Sequence, residues 1–197
     1  MSDHCRFLFV PAGGSARIID SHPRPDVVSD LLGGAFAAPV ILPSGRVAAW
    51  VRETCATEGQ PRNVLASVLA MILGGPRPIP ILGPCALTML VWTSNPGDPY
   101  PVGTAEGFPG GDEIERFRRL TEDVERALAG YSYGFQYDHL DEAWAEAVRG
   151  AAETCRTMPI PDGWPNVARQ DGSDEVALLM RRLGLGQMFA PVPISAN

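Results

Sequence analysis

The hydrophobic pattern begins with a short apolar run, Phe7 to Val10, that stops at Pro11-Ala12-Gly13-Gly14. Ala16 to Asp20 then resumes an extended, partly apolar pattern, so a β-hairpin is expected. The glycine pair also has the composition of a phosphate-holding nest. Such loops open helices, however, and a strand-like stretch follows, so a turn is the better reading. Asp26 is expected to cap a short helix that runs through Leu32 and ends at Gly33-Gly34. Phe36 to Leu42 and Arg46 to Val51 flank Pro43-Ser44-Gly45 and predict a second hairpin. Asn63 caps a second expected helix, Val64 to Leu73, which stops at Gly74-Gly75. Ile79 to Leu82 and Cys85 to Trp92 complete this half as strands separated by Gly83-Pro84.

The two helices echo one another. Asp26-Val27-Val28 matches Asn63-Val64-Leu65, both helices end in Leu-Gly-Gly, and each follows an expected hairpin. The implied arrangement is a pair of ββα units sharing one mixed or antiparallel sheet, an α+β fold. Recurrent capping and termination chemistry in two short helices is the plainer explanation of the echo.

Beyond Trp92 the pattern changes. Residues 93–111 are nine parts in nineteen Pro or Gly and read as a linker. After it, Ile114, Phe117, Leu120, Val124 and Leu128 recur at spacings of three and four, behind Asp112 and Glu115 in capping positions and ahead of Gly130. A second amphipathic helix is expected from about His139 to Thr157, opened by Asp138, with Leu140, Trp144, Ala147, Val148, Ala151 and Cys155 on one side. A third follows Ser173 with Val176, Leu179, Met180 and Leu183 inward, and the apolar, Pro-rich tail Met188 to Asn197 reads as an extended path over a surface groove. The expected organisation is an α+β domain at 1–92, a linker at 93–111 and an acidic helical region at 112–197, which acts as a helical cap or as the dimerising element of a homo-oligomer.

Charge sharpens this division. The chain carries 16 basic residues, all of them Arg, against 23 acids, a net charge of −7. Residues 1–104 hold seven Arg and seven acids, whereas 105–197 hold nine Arg and sixteen acids. Neither half presents a basic stripe, which disfavours nucleic acid as a direct ligand. The absence of lysine excludes Schiff-base chemistry and the GxxxxGK[ST] phosphate loop. Four cysteines, Cys5, Cys55, Cys85 and Cys155, are too scattered for a zinc ribbon and read as reduced core residues of a cytoplasmic protein. The N-terminus has no signal-like apolar region. The longest apolar stretch, Val64 to Leu73, falls well short of the ~20 residues a membrane span needs. No metal or other cofactor is expected.

Tyr131, Tyr133, Phe135 and Tyr137 alternate, so an extended backbone would line all four rings on one face. With Arg116 and Arg119 nearby they are candidates for stacking on a nucleotide-like ligand; packing of a seam between the two halves is the plainer role. The cluster Arg116, Arg118 and Arg119 could bind phosphate or a partner's carboxylates, with local pairing to Glu115, Glu122 and Asp123 as the plainer alternative. His139 sits beside Asp138, Asp141 and Glu142, but first-turn acids stabilised by the helix dipole account for most of that grouping. His4 and His22 have no nucleophile at a recognisable spacing, and GxSxG, HExxH and HxE motifs are missing. A thiol at Cys85, after Gly83-Pro84, could be presented for reaction, though a core position suits it better.

One resemblance adds to this reading. Leu31-Leu32-Gly33-Gly34, the hairpin after it, Arg62-Asn63-Val64-Leu65-Ala66 and Ile81-Leu82-Gly83 with its apolar sequel resemble, over about residues 6–92, a small domain family of unknown function carried by phages, plasmids and actinobacterial mobile elements. In that family the segment before the Asn is usually a strand with an acidic or Asn turn, whereas here 55–61 is a longer polar loop. The family supplies no catalytic residues. What the resemblance implies is an accessory protein that acts on the host or its defence. The expected function is accordingly a non-enzymatic binding protein that either sequesters a nucleotide-like small molecule or binds a host protein. The alternative is a small hydrolase-like enzyme using His139 with neighbouring carboxylates.

Overall fold

The computed structural model describes residues 6–34, 37–42, 47–74, 79–93, 102–106, 111–130 and 142–165. It is an α+β protein in which ten elements follow the order ββαββαββαα. The strands are β1 (Arg6–Val10), β2 (Arg17–Asp20), β3 (Ala37–Ile41), β4 (Val47–Arg52), β5 (Cys85–Thr93) and β6 (Val102–Glu106). The helices are α1 (Pro25–Leu31), α2 (Val64–Gly74), α3 (Gly111–Leu128) and α4 (Glu142–Thr157).

All strand pairs are antiparallel, in the order β2-β1-β5-β4-β3, with β6 also on β5. Because Met89 pairs with Val47 of β4 and with Glu106 of β6, β4 and β6 flank β5 on opposite edges. β1 and β6 therefore share one edge of β5 end to end. Residues 102–106, inside the segment read as a linker, thus form a strand that extends the sheet. Ile79 to Leu82 departs from expectation in the other direction: it makes only an isolated bridge, Leu82 with Arg62, rather than a strand.

Alternation along β1 sorts the core onto two faces. Leu8 and Val10 join Val47, Ala49 and Leu87 beneath α2, α3 and α4, while Phe7 and Phe9 join Ala86 against Val28 and Leu32 of α1. Both faces of β1 are covered, which is why Phe7 to Val10 is continuously apolar. The C-terminal helices belong to the first of these clusters: Ile114, Val124, Val148, Ala152 and Trp164 are buried in the same core as the strands.

Local chemistry explains the helix ends. α1 starts at Pro25, whose ring presets the helical φ and whose missing N–H costs nothing in the first turn. Its N-cap is Arg24 without a side-chain bond, so Asp26 is a first-turn acid, paired with Arg24 at 3.1 Å, and not the expected cap. At the other end Gly34 N–H donates to Ser29 O at 2.8 Å and Gly33 N–H to Asp30 O at 3.0 Å, with both glycines at positive φ, a Schellman stop. α2 contains no charged residue and is buried over most of its circumference. Arg62, just before it, donates to Cys155 O at 3.2 Å and Met158 O at 2.6 Å, closing the C-terminal end of α4. Among the described residues no helix is long and apolar enough to cross a membrane.

Candidate binding groove

Asn63 organises one side of the candidate site. Its Oδ1 accepts the Ala66 N–H at 3.0 Å, the expected cap of α2. Its buried Nδ2 also donates to Val10 O at 3.1 Å, Pro11 O at 3.0 Å and Gly83 O at 2.9 Å. One side chain therefore fixes the start of α2, the Gly83 turn and the point where β1 passes into the β1–β2 turn.

That turn faces α3. The Ala16 N–H donates to Glu125 Oε1 at 2.8 Å, a bond spanning 109 positions of sequence. On either side of it lie two adjoining clefts. The larger, about 440 Å³, lies between Gly14 and Ser15 of the turn and Glu122, Arg126 and Leu128 of α3. The smaller, about 220 Å³, lies between Ala16 and Ile18 and the α3 residues Arg118 and Thr121. Glu122 and Glu125 line both. The result is a groove along one side of α3, open to solvent, with charged side chains at its rim and mostly apolar surface between them.

Its charges are unevenly satisfied. Arg118 binds Glu115 through two bonds, of 2.6 and 2.9 Å, and also pairs with Glu122; Arg119 reaches Glu115 at 3.2 Å. The Arg118 hydrogen bond, ahead of other influences, holds the Glu115 carboxyl down to about 2. Arg17 also lines the smaller cleft, while its guanidinium lies 5.1 Å from the centre of the Phe9 ring. Glu125 has the Ala16 bond and no ion pair among the described residues.

The residues expected to form a site separate accordingly. Arg116 and Arg119 are exposed on α3, and neither lines the groove, which Arg118 does. The local pairing expected within this Arg cluster is present for Arg118 and Arg119. Tyr131, Tyr133, Phe135, Tyr137 and His139 lie outside the described residues, as do His4, Cys5 and the expected third helix. Cys55, Cys85 and Cys155 are buried free thiols; burial pushes Cys55 up to about 11 and raises the other two as well. Cys85 is a core residue, as its surroundings in sequence suggested. Among the described residues no three His, Cys, Asp or Glu side chains converge as a metal site. Sequence reasoning missed Ser15, Glu122, Glu125 and Arg126 as one surface. The legible trace was a polar stripe at 118, 121, 122 and 125, alongside the apolar stripe of the same helix. No family model, no curated protein and no solved structure matches the chain.

Proposed function

We propose that the protein is a non-catalytic binding module that holds a partner protein along the groove between α3 and the β1–β2 turn. The observation that carries the reading is the form of that groove: two adjoining clefts that open along the helix, with charged α3 side chains at the rim and mostly apolar surface between. Sites for small ligands are enclosed, whereas protein contact surfaces set an apolar centre within an open, polar rim. The resemblance over residues 6–92 suggests that the partner is a host protein and that the module belongs to a mobile element.

Site-specific photocrosslinking tests this. A photoreactive residue replacing Ser15 or Arg126 should capture a defined protein, and the same residue at Arg156, on the exposed side of α4, should not. Equal capture from all three positions, or none, would overturn the reading. So would native mass spectrometry in which a nucleotide-like molecule accompanies the chain in fixed ratio, since that assigns the protein to small-molecule sequestration.

A further inference from the structure

The smaller cleft runs into the edge of the sheet. Among the described residues β2 and β3 end the strand order and β6 presents a third outer edge, but only β2 borders the cleft. β3 carries Pro39 in mid-strand, a residue with no N–H to offer a neighbour. β2, Arg17-Ile18-Ile19-Asp20, contains no proline. Immediately before β2, the Ala16 N–H is taken by the Glu125 carboxylate and not by a neighbouring strand. Groups two residues apart on an extended strand point the same way, so Ile18 directs its N–H and C=O toward the side that Ala16 faces. Half-buried Ile18 also lines the cleft opposite Arg118 and Glu122.

Charge selects the occupant. Arg118 is held by Glu115 and Glu122, Arg17 lines the cleft but carries its guanidinium over the Phe9 ring, and Arg126 beside the larger cleft reaches Asp123, so the carboxylate without an ion pair at this edge among the described residues is Glu125. The chain as a whole carries −7. We infer that the partner presents an extended basic segment that adds to β2 as a further strand. Its main chain bonds Ile18, and an Arg or Lys side chain on the α3 side meets Glu125. Main-chain pairing gives such a contact its affinity and the alternate side chains its specificity. The inference rests on the protein-binding reading and adds the mode and the chemistry of the partner.

The test uses the full chain, isotope-labelled for amide NMR, and three short synthetic peptides: one alternating Arg and Val, the same peptide with Glu in place of Arg, and the Arg peptide N-methylated on alternate residues. The Arg peptide should protect the Ile18 amide from hydrogen exchange by about tenfold or more, and its binding should weaken as salt rises. The Glu and N-methylated peptides should not bind. Glu125→Gln keeps an acceptor for the Ala16 N–H and removes the charge, so it should weaken the Arg peptide several-fold with the fold intact. An unaffected Ile18 amide, equal binding of the N-methylated peptide, or no preference for Arg over Glu would overturn the inference. Protection of Ile18 that appears without peptide and grows with protein concentration would also overturn it, by giving the edge to a second copy of the chain. Groove-specific crosslinks without peptide pairing would leave the protein-binding reading standing and remove strand addition alone.

Discussion

Replacing Asn63 tests the link between core and groove most directly. Alanine there removes the cap on Ala66 and takes the donor away from three carbonyls, those of Val10, Pro11 and Gly83. Loss of the cap costs about 1 kcal/mol, and each buried carbonyl left without a donor about 1–3 kcal/mol. Two of the three bonds are buried, so Asn63→Ala should cost about 3–7 kcal/mol, which for a chain of this size lowers Tm by about 6 °C or more. Urea titration should move the midpoint at constant slope. Aspartate makes the sharper variant. It keeps the capping oxygen but sets a second oxygen against the carbonyls, which disfavours the carboxylate and raises its folded pKa above the unfolded value of about 3.9. The stability share of such a group is present below the unfolded pKa and lost as pH rises through the folded one. Asn63→Asp should therefore be less stable than Asn63→Ala at neutral pH and gain on it as pH falls toward 4. The reasoning fails if Asn63→Asp matches the parent at neutral pH, or if Asn63→Ala costs less than about 1 kcal/mol.

Other consequences can be checked separately. Burial raises the Cys55 thiol to about 11, so its contribution to stability is present below the unfolded thiol pKa and lost as pH climbs through 11; alkaline denaturation monitored by circular dichroism should begin in that window. At neutral pH a thiol reagent should leave Cys55, Cys85 and Cys155 unmodified in the native protein and modify all three in denaturant, as read by peptide mass spectrometry. Glu115, held down to about 2 by Arg118, contributes above the unfolded carboxyl pKa and loses that contribution as pH falls toward 2; carbon-detected NMR titration should place its midpoint well below those of ordinary glutamates. Ending the chain after β6 strips Ile114, Val124, Val148 and Trp164 from the shared core; at about 1.5–3 kcal/mol per large side chain this rivals the whole stability of a domain. The truncated chain should show no cooperative unfolding transition, and a sharp one would establish residues 1–106 as an independent domain.

Much of the fold was legible because its signals are local. An Asn before an apolar run capped α2, and Gly33-Gly34 ended α1 through backbone bonds that need only positive φ. Asp26 misled because a residue of capping type stood beside Pro25, and the proline fixed the helix start two positions earlier. β6 was hidden for a different reason. Val102-Gly103-Thr104-Ala105-Glu106 has little strand propensity and sits among prolines and glycines; what makes it a strand is the edge of β5 at Met89 to Thr93, which β1 leaves unpaired. The segment around Ile81 failed as a strand because its neighbour is the tight approach to α2: Asn63 N–H donates to Ile81 O at 2.8 Å, and the contact goes no further than a bridge. Only the α3 wall of the groove left a local signal; its meeting with the β1–β2 turn left none, since Ala16 and Glu125 lie 109 positions apart.

The acidic half of the sequence also shows why counting charges does not locate a site. Along α3, Glu115 and Glu122 are neutralised within their own helix by Arg118, with Arg119 adding to Glu115, and such exposed i,i+3 and i,i+4 pairs contribute little net attraction for a partner. Arg116 and Arg119, the cations nearest to the alternating aromatics in sequence, point away from the groove for the same geometric reason: the face they occupy is not the one that meets β2. What distinguishes Glu125 is its bond to the Ala16 N–H at the start of the edge strand β2. A carboxylate in that position does two things at once. It keeps the β1–β2 turn against α3, and it sets uncompensated negative charge beside the main-chain groups of Ile18, so that an added basic strand meets both its hydrogen-bond partners and its counter-charge in one place.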